Sequence, residues 1–145
     1  MFAYGSNLDV MQMQRRCGVL DVEGIALLPN HRLAFAGYSA RWSGAVATIR
    51  GGHASVVPGV LYRLDSDALK SLDRFEGHPL VYERVLVRVF ASDRRWRRVH
   101  TYMLCSRSAG RPAPEYLDAI RRGYRVWGFG ELSGFSHALK KGRTS

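Results

Sequence analysis

A chain of 145 residues with 46% apolar side chains is large and apolar enough to bury one core, which excludes a disordered body. No apolar run approaches the roughly 20 residues that a bilayer demands, and no basic segment leads a hydrophobic stretch at the N-terminus. Neither a membrane partner nor a secretory signal is therefore expected. The net charge of +10 bears on partners rather than fold. Cys17 and Cys105 stand far apart, outside any Cys-x-x-Cys pair or metal-ligand spacing, and read as reduced, partly buried thiols of a cytoplasmic protein.

Phe2-Ala3-Tyr4 reads as a short buried strand, broken by Gly5-Ser6-Asn7, with Asn7 placed to cap a helix over 8–16. Leu8, Met11 and Gln12 fall on one face of that helix. Residues 22–28, 32–36, 45–49 and 56–64 read as short strands separated by Pro, Asn, Gly and Ser, with Gly51-Gly52 as a turn. Pro58 marks an edge or a bulge. The clearest helix runs from Ser66, read as its N-cap, to Glu76, where Gly77 and Pro79 stop it. Residues 82–90 and 99–104 form a hairpin across an arginine-rich turn, and a helix over 115–122 ends at Gly123. The expected fold is α+β: a small mixed β-barrel, closed or nearly so, flanked by a few helices. One domain is expected over 1–128, with 129–145 as a flexible tail.

Leu69, Leu72, Asp73 and Glu76 share one face of the middle helix, so burying the leucines draws Glu76 towards the interior. Glu76 also occupies the last turn, where the macrodipole opposes negative charge. Both effects raise a carboxyl pKa and suit a proton-shuttling base. Pairing with an arginine such as Arg84 is the plainer reading, and Asp73 lies on the same face; spacing alone does not separate these. The Gly5-Ser6 turn would present several backbone N–H groups in one direction, suited to a carboxylate or an oxyanion. Ser6 has no nucleophile elbow around it, and no Gly-Lys-Ser/Thr follows the glycines. The run Arg94-Arg95-Trp96-Arg97-Arg98 is read as a solvated turn rather than a nucleic-acid surface.

Taken together, the segments resemble the γ-glutamylcyclotransferase-like family of bacterial type. Phe2-Ala3-Tyr4-Gly5-Ser6-Asn7-Leu8 is similar to its N-terminal signature. Arg16-Cys17, 24–27, 44–49, Gly59-Val60-Leu61-Tyr62, 72–79, Tyr82, Arg84, Tyr102, 112–116 and Gly123-Tyr124 follow in the family's order. The resemblance extends from Phe2 to about Gly128. It implies an enzyme that cyclises a γ-glutamyl amide or dipeptide to 5-oxoproline and a free amine, with no metal or organic cofactor. It implies Glu76 as general acid/base, with Phe2, Ala3, Tyr4, Gly5, Ser6, Asn7 and Tyr116 around a small-molecule γ-glutamyl substrate, and Asp73 as structural. A monomer or homodimer is expected. Two other readings stand beside it: removal of γ-glutamyl groups from a bulky or carrier-bound intermediate, and a basic non-enzymatic domain binding nucleic acid or protein.

Overall fold

The computed structural model describes residues 1–18 and 20–130. Five strands and three α-helices follow the order β1 (Phe2–Ala3), α1 (Val10–Cys17), β2 (Asp21–Ser39), β3 (Gly44–Arg63), α2 (Ser66–Glu76), β4 (Tyr82–Ala91), β5 (Trp96–Leu104) and α3 (Pro114–Trp127), with a 3₁₀ turn over Ser6–Leu8 after β1. The α+β class is as the sequence indicates. No helix among the described residues is long and apolar enough to cross a membrane.

Four of the expected short strands merge into two long ones. β2 and β3 pair antiparallel from Asp21↔Arg63 to Ser39↔Gly44, with register shifts at Val22/Gly24, Pro29/His31 and Ala36/Ser39. The Pro-Asn and Gly-Gly punctuation marks these irregularities instead of turns: Pro29 faces Val56, whereas His31 already faces Gly51. Bulges bend a strand while keeping its ladder, so turn-forming residues inside a strand are legible as breaks and act as bends. Pro58 lies beyond the two-residue β1, which pairs only with Val60 and Leu61.

The sheet order is β1-β3-β2-β4-β5, and every ladder is antiparallel. The sheet curls without closing. Its end strands, β1 and β5, meet through side chains: Thr101 Oγ1 donates to the Phe2 carbonyl at 2.7 Å, and the Tyr4 hydroxyl donates to the Tyr102 carbonyl at 2.5 Å. The barrel is therefore a curvature, with a seam where a ladder would be. Inside lie Phe2, Leu28, Leu33, Ile49, Val57, Val60 and Leu61, all fully buried, closed over by Met13, Leu72 and Ile120 from the helices.

Helix boundaries differ from the sequence reading at the caps. Asp9, not Asn7, caps α1, accepting from the Met11 and Gln12 amides. Met11 is exposed, and Gln12 and Met13 face inward. Asp65, not Ser66, caps α2, accepting from the Ala68 amide. Gly123 lies within α3, packed where a Cβ would come 2.8 Å from that of Leu8; the helix runs on to a left-handed Gly128. Phe129 packs edge-on against Tyr124, so the expected tail starts on the core; from 131 onward it lies outside the described residues. Both cysteines are free; Cys17 is half-buried and Cys105 is exposed.

Gly59 shows how tightly β1 is seated. A Cβ there would lie 2.4 Å from both the Ala3 carbonyl oxygen and the Phe2 ring. Gly59→Ala is expected to lower unfolding free energy by about 3 kcal/mol in urea titration, because neither a strand backbone nor a fully buried ring yields cheaply. A variant as stable as the parent would show that β1 is loosely held.

Candidate active site

The first turn, α1 and the end of α2 converge on one carboxyl group. After β1, Gly5 takes the chain into the 3₁₀ turn, whose closing bonds run from Leu8 N to Gly5 O and from Asp9 N to Ser6 O. These bonds use the carbonyls of Gly5 and Ser6 and leave the amides at the start of the turn outside the pattern. A tether from α3 also fixes the turn, with Trp127 Nε1 donating to the Leu8 carbonyl at 2.9 Å, while the Tyr62 hydroxyl donates to the Asn7 carbonyl at 3.0 Å.

The Asn7 side chain is the hub. Its Oδ1 accepts from Gln12 Nε2 at 3.1 Å and from Arg16 Nη1 at 2.9 Å. Both donors can bond only the carbonyl side of the amide, so Nδ2 must face the other way. There it donates to Glu76 Oε1 at 2.7 Å. Gln12 Nε2 also reaches Ser6 Oγ at 3.0 Å, which makes the Ser6 hydroxyl an acceptor rather than an activated nucleophile.

Glu76 is the last residue of α2, and its side chain is only 13% exposed. Gly77, left-handed at φ 67°, ends the helix there. Arg16 Nη1 stands 3.6 Å from Glu76 Oε1, beyond hydrogen-bond range, so Asn7 orients the carboxylate and Arg16 contributes charge alone. Burial lifts the Glu76 pKa above its usual value; the Asn7 hydrogen bond and the charges of Arg16 and Arg41 offset only part of that rise. Arg16 is itself pulled below the ordinary guanidinium value by burial, yet stays cationic near neutral pH.

Asp73, the rival carboxylate on the same helix, is already engaged. It accepts from the Tyr102 hydroxyl at 2.6 Å and pairs with Arg84 Nε at 2.9 Å. Arg84 thus pairs with Asp73, and the cation nearest Glu76 is Arg16, at 3.6 Å. The two carboxylates that spacing leaves equivalent thus have different partners, Tyr102 and Arg84 for Asp73 and Asn7 for Glu76.

Two cavities meet at Glu76. The inner one, about 50 Å³, lies along the seam between β1 and β5. Phe2, Ala3, Tyr4, Gly5, Ser6, Asn7, Glu76 and Tyr116 all line it. Phe2 and Ala3 contribute as wall, being buried in the ladder with β3. Tyr116 accepts from the Ala47 amide at 2.8 Å, while Tyr82 donates to the Ala47 carbonyl at 2.7 Å, so two phenols grip one residue of β3. Burial raises the pKa of Tyr4, Tyr82 and Tyr116, which keeps their hydroxyls protonated. The outer cavity shares Ser6, Glu76, Tyr82 and Tyr116 with the inner one and opens between α1, the β2–β3 hairpin and residue 81.

Gln12, Arg16 and Tyr82 belong to this site although the sequence reading gave them no role. Gln12 and Arg16 were detectable as an i, i+4 polar pair on the inward face of α1. Tyr82 carries no such local signal.

With this geometry in view, the family model for gamma-glutamyl cyclotransferase, AIG2-like, matches residues 1–123. The chain belongs to that family. Gamma-glutamylcyclotransferases of Mus musculus and Homo sapiens are 29% and 28% identical to it over 127 residues, covering 84% of this chain and 68% of theirs. A solved gamma-glutamyl cyclotransferase superposes with a TM-score of 0.83 at 25% identity, covering 99% of this chain and 85% of that one. YkqA from Bacillus subtilis gives 0.76 at 25% identity, with 99% of this chain and 53% of that one covered.

The Asn7 contact fixes a measurable sign. A bond donated to the carboxylate favours its charged form, so its loss must raise the pKa further. The Glu76 carboxyl, followed by carbon-13 NMR, is expected to titrate above an exposed glutamate, and higher still in Asn7→Ala. A titration that falls in Asn7→Ala would mean the amide does not hold the carboxylate.

Proposed function

We propose that this cyclotransferase closes a γ-glutamyl amide into 5-oxoproline with Glu76 as its proton carrier. The observation that supports the reading is a buried carboxyl group, held by Asn7, lining the same cavity as Gly5 and Ser6 of the first turn. The γ-glutamyl head occupies the inner cavity. Its α-amino nitrogen gives a proton to Glu76 and attacks the γ-carbonyl carbon, forming the C–N bond of a five-membered lactam. The carbonyl electrons move to oxygen, and amides of the Gly5-Ser6 turn face that oxyanion, each donor contributing about 3 kcal/mol. As the carbonyl re-forms, the original amide C–N bond breaks, Glu76 returns its proton to the departing nitrogen, and the second proton shed by the lactam nitrogen leaves that amine as its ammonium ion.

Holding both reacting groups on one substrate removes the cost of capturing a second reactant. The proton step sets the demand on the protein. An ordinary carboxylate lies about four units below an α-amino group of pKa roughly 8, a mismatch of about 5 kcal/mol. Burial of Glu76 narrows it. Both C–N bonds, the one made and the one broken, lie within the substrate, with no change of oxidation state, so we propose that the reaction runs without a cofactor.

Glu76→Gln is expected to cut 5-oxoproline release from γ-glutamyl dipeptides by at least about 100-fold, the range of lost general acid–base catalysis, while retaining fold and substrate binding. Ordinary turnover in that variant would remove Glu76 from the role. Tyr116→Phe strips the Ala47 amide of its acceptor, which costs about 1–3 kcal/mol of stability. Its activity loss is expected to be smaller than that of Glu76→Gln; an equally deep loss would place the Tyr116 hydroxyl in the chemistry.

A further inference from the structure

We infer that the outer cavity receives the departing amine, and that this amine is an aromatic α-amino acid: a ring set against Trp42, Phe75 and Tyr38, and a carboxylate set between Arg16 and Arg41. The inference rests on the cyclase reading above and specifies its substrate.

Charge argues for the carboxylate. Among the residues lining the outer cavity, the charged ones are Arg16, Arg41 and Glu76, a net of one positive charge while Glu76 is ionised. When Glu76 holds the transferred proton, two cations face the space with no anion beside them. Arg41 is exposed and has no carboxylate partner among the described residues; its guanidinium rests over the Trp42 ring at 5.8 Å. Arg16 is 9% exposed, spends Nη1 on Asn7, and leaves its buried Nε without a hydrogen-bond partner among the described residues. The inner cavity has no arginine or lysine in its lining, so the two arginine side chains that can meet an anionic group lie in the outer one.

The rim argues for the ring. Tyr38 is 75% exposed, Phe75 56% and Val81 53%, all on the margin of this one cavity. Large apolar side chains left in water around a concave, partly polar space are the usual lining of a site for an apolar ligand. Trp42 is half-buried, its ring 4.9 Å from that of Tyr116, so it stands at the junction between the two cavities. The hairpin carrying Tyr38, Arg41 and Trp42 is fixed rather than loose: the Gly37 amide bonds the Ser108 carbonyl at 2.9 Å, and the Ala45 amide bonds that of Arg111 at 3.1 Å. Gly44 lies so close to this segment that a Cβ would come 2.8 Å from the Ala113 nitrogen.

The test compares kcat/KM for 5-oxoproline release from γ-glutamylphenylalanine, γ-glutamylalanine and γ-glutamylphenethylamide, the last having the ring without the carboxylate. The intact protein is expected to prefer γ-glutamylphenylalanine about tenfold over each of the others, the scale of one charge-assisted bond or one ring contact. Arg41→Gln should bring the ratio of γ-glutamylphenylalanine to γ-glutamylphenethylamide to about one, and Trp42→Ala should do the same for the ratio to γ-glutamylalanine. Equal turnover of all three by the intact protein would overturn the inference and leave the cyclase reading standing. An equal loss on all three in Arg41→Gln would overturn it too, assigning the arginine to the γ-glutamyl head. Release of 5-oxoproline from none of the three, nor from any other γ-glutamyl compound, would end both.

Discussion

One hydrogen bond organises the site: the Asn7 amide to the Glu76 carboxylate, 2.7 Å across two elements far apart in the chain. It can form only if the first turn and the end of α2 are brought to one place, and each is fixed independently. Trp127 and Tyr62 hold the turn by its carbonyls, while Leu72, fully buried, holds the helix by its apolar face. Gln12 and Arg16 then saturate the carbonyl end of Asn7, leaving its amide one direction to point. The carboxylate is left with a neutral hydrogen-bond donor, and its nearest cation, Arg16, stands 3.6 Å away without a hydrogen bond to it. That keeps it oriented without binding its charge so strongly that it ceases to accept protons.

The incomplete sheet is part of the same design. A closed barrel would fill the space between β1 and β5 with a backbone ladder. Here Thr101 and Tyr4 join the two strands by side-chain bonds, and the inner cavity lies along that seam. The strand edges that a ladder would have consumed instead border the space where the chemistry is proposed. Tyr82 and Tyr116, gripping both backbone polar groups of Ala47, satisfy a buried donor and a buried acceptor and present aromatic walls at once.

The positive charge is not spread evenly in its consequences. Arg97 is committed to Asp93 and Glu23, and Arg63 to Glu23, all at the surface, where such pairs contribute little to stability. Arg88 stacks over Trp96 at 4.6 Å. Arg16 differs from these because it is removed from water, where a charge acts over its neighbours with far less screening.

The amino-acid sequence by itself determined the local elements: the helix ending at Glu76, the hairpin of β4 and β5, the Gly5-Ser6 turn, and the family to which their order belongs. Periodicity and turn chemistry act between near neighbours, and these features need nothing more. It misjudged Pro29-Asn30 and Gly51-Gly52, where local signals for turns are identical to those for bulges, and only the continuing partner strand distinguishes them. It also left Asp73 and Glu76 equivalent, since helical spacing puts both on one face. Tertiary structure separated them by giving Tyr102 and Arg84 to the first and Asn7 to the second. The proton affinity of a carboxyl group depends on the water it loses and the donors it meets, and both are supplied by segments distant in the chain.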